Sequence, residues 1–210
     1  MFLGHHAVAF AARPLAPRVS LGTLIAAALL VDLLWPILLI LGLEHVRIAP
    51  GITAVTPLDF YDYPITHSLL TVVGWSVAMA LLVRKHPLVV GATVLSHWVL
   101  DFITHRPDLP LWPGGPKVGL GLWNSVAGTL LVEVSLFLVA LFFYLRSTRA
   151  RDRTGSIALW SLVAFTSIIY VMNFYSPPPP NVEAIGWLGV AQWLFVPWGY
   201  WIDRHRELVR

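Results

Sequence analysis

Six ionisable side chains lie inside apolar stretches of this 210-residue chain: Asp32, His67, His97, Asp101, His105 and Glu133. Three of them fall in "SHWVLDFITHRPDLPLWPGG", four residues apart. On a helix that spacing stacks His97, Asp101 and His105 along one face within about 80° of arc. A neutral imidazole and a carboxylate on one face can ligate a divalent metal together, and they can equally hydrogen-bond a neighbouring helix. The chain has no cysteine, which excludes disulfides, thiolate metal sites and cysteine nucleophiles. Imidazole and carboxylate donors without thiolate suit zinc, manganese or iron, with zinc the default.

These groups must be positioned by elements that belong in a membrane. The chain is 57% hydrophobic and 12% charged, with a mean hydropathy of +0.73. Soluble domains are nearer 45–50% apolar and about a quarter charged. Six segments are apolar and long enough to cross a bilayer, at about 20–43, 64–83, 87–105, 118–146, 155–175 and 184–202. The pattern predicts an all-α integral membrane bundle of about six transmembrane helices. Residues 1–18 form a short N-terminal segment, interfacial or re-entrant, 19–203 the bundle and 204–210 a cytoplasmic tail. The ionisable groups place the site within 20–146, with 155–202 as scaffold. No basic region followed by a compact apolar core and a cleavage site opens the chain, so no removable signal is expected.

Charge fixes the expected orientation. If the six spans alternate, Arg13, Arg18, Arg84, Lys85, Arg146, Arg149, Arg151, Arg153, Arg204, Arg206 and Arg210 share one side, against Arg47, Arg106 and Lys117 on the other. That bias predicts a multi-pass protein of the cell (inner) membrane with both termini cytoplasmic. The net charge of +3 is therefore a topology signal rather than a nucleic-acid footprint.

A charged aspartate near the centre of a membrane helix costs about 2.5–3.5 kcal/mol, so buried ionisable groups need a reason. Counted along each expected span, Asp32, His67, His97, Asp101 and Glu133 all lie about 15–24 Å above the cytoplasmic end. They share one slab in the outer half of a hydrocarbon core about 30 Å thick, which aims four helices at one buried point. Pro36 frees the carbonyl of residue 32 and predicts a kink beside Asp32. Glu133 shares a stripe with Ser125 and Thr129, which serves a site or helix packing alike. His45, His86 and His205 fall in loops.

The blocks "GHHAVAF", "LLVDLLWP", "THSLL" and "HWVLDFITH" followed by "PLWPGG" resemble the successive motifs of the YdjM-type family of membrane-embedded metal-dependent hydrolases. That family is itself distantly similar to zinc-dependent phospholipase C and P1 nuclease. The likeness covers roughly residues 1–135. It implies metal ligation by His5, Asp32, His67, His97 and Asp101, with His6 as the alternative to His5. Glu133 corresponds only loosely to a late acidic ligand of the wider superfamily. So many ligands exceed the needs of one tetrahedral ion and allow more than one.

Three functions fit these residues. In a hydrolase, Asp101 or Glu133 acts as general base, and Arg106 and Lys117 of the outer loop hold an anionic head group. The substrate is then a membrane lipid, a lipid-like molecule or another phosphoester. A proton- or metal-ion-coupled transporter also needs buried carboxylates and histidines. The third is a non-catalytic protein whose metal only holds the bundle together.

Overall fold

The computed structural model describes residues 1–209; Arg210, the last residue of the expected tail, lies outside them. Its longest elements are the helices α6 (Pro87–Thr104), α7 (Val126–Ser147) and α8 (Arg153–Tyr175), each long and apolar enough to cross a membrane. Pro87 supplies the fixed φ of a first helical turn at the start of α6. Asp152 caps α8 by accepting from the Gly155 N–H at 2.9 Å. Only 28% of the apolar window of α7 is buried, and Leu131, Leu138 and Phe142 face outward. Contiguous apolar surface of that kind needs an apolar surrounding.

The expectation of six spans is not met. Among the described residues three helices qualify, or four if the bent pair α2 (Leu21–Ala28) and α3 (Leu30–Ile40) is one span. The pair bends by 56° at Leu29, not at Pro36 as expected. Pro36 stays inside α3, where Gly189 of α9 (Val182–Val190) admits it: a Cβ at Gly189 would meet Pro36 at 2.6 Å. Segment 64–83 divides at Ser68 into α4 (Pro64–His67) and α5 (Leu69–Val83). Ser68 is extended, with ψ 144, and its hydroxyl accepts from the Thr71 N–H, so an N-cap interrupts the apolar run. The remaining 15 residues of α5 reach about 22 Å, short of the hydrocarbon thickness. Segment 184–202 is likewise broken by a 3-10 turn at Ala191–Leu194, between α9 and α10 (Phe195–His205).

The described residues are mostly helical, as expected, with three short two-stranded antiparallel sheets in the connections. Strands β1 (His45–Ile48) and β2 (Leu58–Asp62) pair with Arg47 opposite Asp59. Strands β3 (Leu109–Pro110) and β4 (Lys117–Val118) pair beside them, beyond the C-terminus of α6. At the other end of the bundle β5 (Thr148–Ala150) pairs with β6 (Arg206–Leu208), so the expected tail is in part a strand. There the His205 imidazole donates to Asp152 at 2.7 Å and Arg149 to Glu207 at 2.8 Å. Those contacts hold both carboxylates below their ordinary range.

Helix α1 (Leu3–Leu15) is sunk in the bundle. Leu3, Gly4, His5, His6, Ala7, Ala9, Phe10 and Ala12 are all buried, and Phe10 packs on Phe137 and Tyr144 of α7. The first turn of α1 therefore arrives among the other helices with its own backbone N–H groups unpaired, and Glu133 of α7 answers them.

Candidate metal centre

Four elements converge on one buried point. Helix α6 presents His97 and Asp101 one turn apart, with His97 Nε2 3.1 Å from Asp101 Oδ2. Helix α1 brings His5, whose Nε2 lies 3.1 Å from Asp101 Oδ1 and whose ring stacks on His97 at 3.6 Å. The bend at Leu29 sets Asp32 in the first turn of α3, with its Oδ1 3.6 Å from His97 Nε2. Helix α4 adds His67, whose Nε2 is 3.5 Å from Asp32 Oδ1 and 3.9 Å from Asp101 Oδ2. His5, His97 and Asp101 form one triad of candidate ligands and Asp32, His67 and His97 another, the chosen atoms in each within 4.8 Å of one another. Asp32 alone is partly exposed, its side chain at 27%, so the cluster opens past that carboxylate.

Hydrogen bonds behind the cluster determine which nitrogens face it. His97 Nδ1 lies 2.8 Å from the carbonyl of Ala28, the last residue of α2. A carbonyl only accepts, so Nδ1 carries the proton and Nε2 of the neutral ring presents a lone pair. Behind His67 the chain of bonds is longer. Thr66 Oγ1 donates to Glu44 Oε2 at 2.6 Å and accepts from His67 Nδ1 at 2.7 Å. Glu44 is fully buried, and its other oxygen accepts from the Ile65 and Thr66 N–H groups, so the relay is fixed at both ends. Outer partners of this kind orient metal-bound histidines.

The donor set fits a small divalent ion. His97 Nε2 is buried and has no hydrogen-bond partner, although two carboxylate oxygens lie within 3.6 Å. Neither oxygen meets a His97 ring N–H at a hydrogen-bonding position. Tetrahedral zinc with bonds of about 2.0–2.1 Å holds its ligand atoms about 3.4 Å apart. The separations of 3.5 and 3.6 Å from Asp32 Oδ1 to His67 and His97 match that spacing. Two carboxylates at this depth also need compensating positive charge. The amino nitrogen of Met1 lies 2.6 Å from Asp101 Oδ1.

Other residues singled out from the sequence are placed elsewhere. His6 turns away: its Nδ1 donates to the Phe2 carbonyl at 3.1 Å, and its ring packs on Phe195 at 4.8 Å. Of the two adjacent histidines, His5 is the one in the cluster. Glu133, expected as a general base, caps α1 by accepting from the Phe2, Leu3 and Gly4 N–H groups at 2.9, 2.8 and 3.4 Å. Arg106, expected to hold an anionic head group, is bound by Asp59 and, at 3.2 Å, by Asp108. Lys117, expected in the same role, donates to the Tyr61 carbonyl at 2.6 Å. Arg106 thus ties β2 to the end of α6, and Lys117 ties β4 to β2.

His105, at the end of α6, is buried. Its Nδ1 donates to Asp108 Oδ1 at 2.9 Å, and its ring packs on Trp123 at 4.2 Å. Tyr63 donates to the same Asp108 oxygen at 3.0 Å, and its ring lies 4.8 Å from that of His67. Burial, reinforced by Asp108, holds the Tyr63 phenol well above the ordinary tyrosine range, so it stays a donor. Sequence reasoning missed Glu44, Tyr63, Asp59 and Asp108. Glu44 is an isolated acid in a loop and carries no spacing signal; only the adjacent Thr66 and His67 hinted at a relay.

No protein-family profile, curated protein or solved structure matches the chain. The buried histidines and aspartates are thus what bears on function, and they could hold a metal ion.

Proposed function

We propose that this protein is a multi-pass membrane hydrolase that uses a divalent metal, zinc in the first instance, and acts on a phosphoester of lipid-like character. The observation that carries the reading is His97 Nε2, buried without a hydrogen-bond partner among the described residues while Asp32 Oδ1 and Asp101 Oδ2 lie 3.6 and 3.1 Å away. His5, Asp32, His67, His97 and Asp101 would hold the metal. The two oxygens of Asp101 face different sides of the cluster, Oδ1 toward His5 and the Met1 amino nitrogen and Oδ2 toward His67 and His97. A divalent ion in such a site lowers the pKa of water toward neutrality and polarises a phosphoryl oxygen.

The chain's own groups supply the rest. The Ala28 carbonyl and the Glu44–Thr66 relay keep His97 and His67 in the tautomer that presents Nε2. Tyr63, His105 and Trp123 cover the cluster and exclude bulk water, while the partly exposed Asp32 marks the way in. Glu133 is committed to the first turn of α1, so of the two carboxylates expected as general base Asp101 is the one within the cluster. The resemblance to YdjM-type hydrolases and the charge bias toward an inner-membrane protein with cytoplasmic termini belong to the same proposal. A transport pathway finds little support beneath His97. There Thr93 donates to the Val89 carbonyl at 2.8 Å and Ser96 to the Thr93 carbonyl at 2.7 Å, so both hydroxyls are satisfied within their own helix.

The test is turnover of bis(4-nitrophenyl) phosphate by purified protein loaded with zinc or manganese. Metal-dependent turnover that His97→Ala and Asp101→Asn abolish is expected. Metal flux into proteoliposomes without turnover would replace the reading with transport. Tight metal with neither activity would replace it with a structural role.

A further inference from the structure

A second feature lies beside the cluster. A cavity of about 550 Å³ opens where α7 and α8 meet the proline turn 177–180 and the loop before β2, within the size range of small-molecule sites. Phe2, Leu58, Trp123, Tyr170 and Phe174 give it an apolar wall, with Glu133 among its lining. The same Glu133 accepts from the Phe2 N–H at 2.9 Å, and the nitrogen of the preceding residue lies 2.6 Å from Asp101 Oδ1. One residue of backbone thus links the cavity to the ligand cluster, and the two carboxylates stand within about 9 Å of each other. A second wall is also shared: Trp123 lines the cavity and packs on His105, which covers the cluster.

Building on the hydrolase reading, we propose that this cavity receives the apolar chain of a membrane amphiphile whose phosphoester head reaches the metal cluster. The occupant follows from where the cavity opens. Its lining is largely apolar, from Phe2, Leu58, Trp123, Tyr170 and Phe174 to the proline turn, and beside it Leu131 of α7 and Met172 of α8 face outward at 70% and 52% exposure. An apolar cavity beside outward apolar helix faces suits the chain of an amphiphile drawn from the apolar surround. The polar groups of the cavity, Asn173 and Ser176, lie near the C-terminal end of α8, and the backbone link to the cluster is at its Phe2 and Glu133 side. A chain in the cavity would lie along α7 and α8 with its head toward α1.

Two esters with one leaving group separate the contributions: methyl 4-nitrophenyl phosphate, which needs only the cluster, and dodecyl 4-nitrophenyl phosphate. Val55→Trp and Asn173→Trp each fill the cavity from a lining position that is not a candidate metal ligand. Each is expected to raise KM for the dodecyl ester at least tenfold and to leave methyl-ester turnover and metal content unchanged. Variants that handle the dodecyl ester like the wild type would overturn the chain-binding proposal and leave the hydrolase reading standing. If neither ester is cleaved by metal-loaded wild type, the hydrolase reading fails and the cavity is judged by binding. Brominated dodecyl phosphate should then quench wild-type fluorescence more than that of Trp123→Phe, and equal quenching would overturn the proposal.

Discussion

Replacing Thr66 by valine removes one oxygen from the line that joins Glu44 to His67 and leaves the side-chain shape nearly unchanged. In the native protein that oxygen donates to Glu44 at 2.6 Å and accepts from His67 Nδ1 at 2.7 Å. Glu44 does not become an orphan, since the Ile65 and Thr66 N–H groups still reach it at 2.7 and 2.8 Å. The loss falls on His67, whose buried Nδ1–H loses its partner at about 1–3 kcal/mol. Part of that penalty can be avoided by moving the proton to Nε2, the atom that faces Asp32, and this removes His67 as a ligand. Outer-partner substitutions of this type weaken metal affinity about 10–100-fold. Zinc competition against a chromophoric chelator reads the change, and Thr66→Ser, which keeps the hydroxyl, should recover most of it. A valine variant that binds zinc within twofold of wild type would refute the relay, as would a serine variant no better than valine.

Further outcomes follow from the same contacts. Glu133→Gln should lower thermal stability by about 1–2 kcal/mol, because the buried first turn of α1 loses its charged cap, and should weaken metal binding through His5. Gly199→Leu should destabilise the protein by about 1–3 kcal/mol in thermal unfolding, since even a Cβ there would meet Gly22 Cα of α2 at 2.7 Å. Asp152 is held below its ordinary value of 3.8, first by its bond from His205, so its contribution is present above that value. It is lost as pH falls through the lower folded value; amide exchange of β5, corrected for intrinsic rate, should rise there in wild type and show no such step in Asp152→Asn.

Much of the site is legible in the sequence, and the reason is energetic. Asp32, His67, His97 and Asp101 stand out because apolar surroundings make each of them expensive, and helical rise alone brings them to one depth. The i,i+4 spacing of His97 and Asp101 is realised in α6, whose residues 87–104 nearly coincide with the expected span. What escapes is whatever depends on partners distant in the chain. Arg106 looks like a free cation until β2 brings Asp59 to it across 47 residues. Glu133 reads as a general base from its helical stripe, and its bonds to three N–H groups of the first turn of α1 come from a segment about 130 residues away.

The breaks in the helices were hidden for a different reason. Hydropathy averages over a window and passes smoothly across Ser68 and Leu29, whereas the chain turns on single dihedral angles. The Ser68 cap carried a usable signal, a serine three residues before Thr71. Leu29 carried none, and Pro36 drew attention to the wrong end of Asp32.

The most direct test of the account is the metal content and ligand shell of the purified protein. Elemental analysis after zinc exchange and removal of loose metal should find at least one zinc per chain, absent in His97→Ala. Its X-ray absorption should show nitrogen and oxygen at about 2.0–2.1 Å with imidazole scattering beyond them. Wild-type protein that folds normally and retains no divalent metal would contradict the account at its centre.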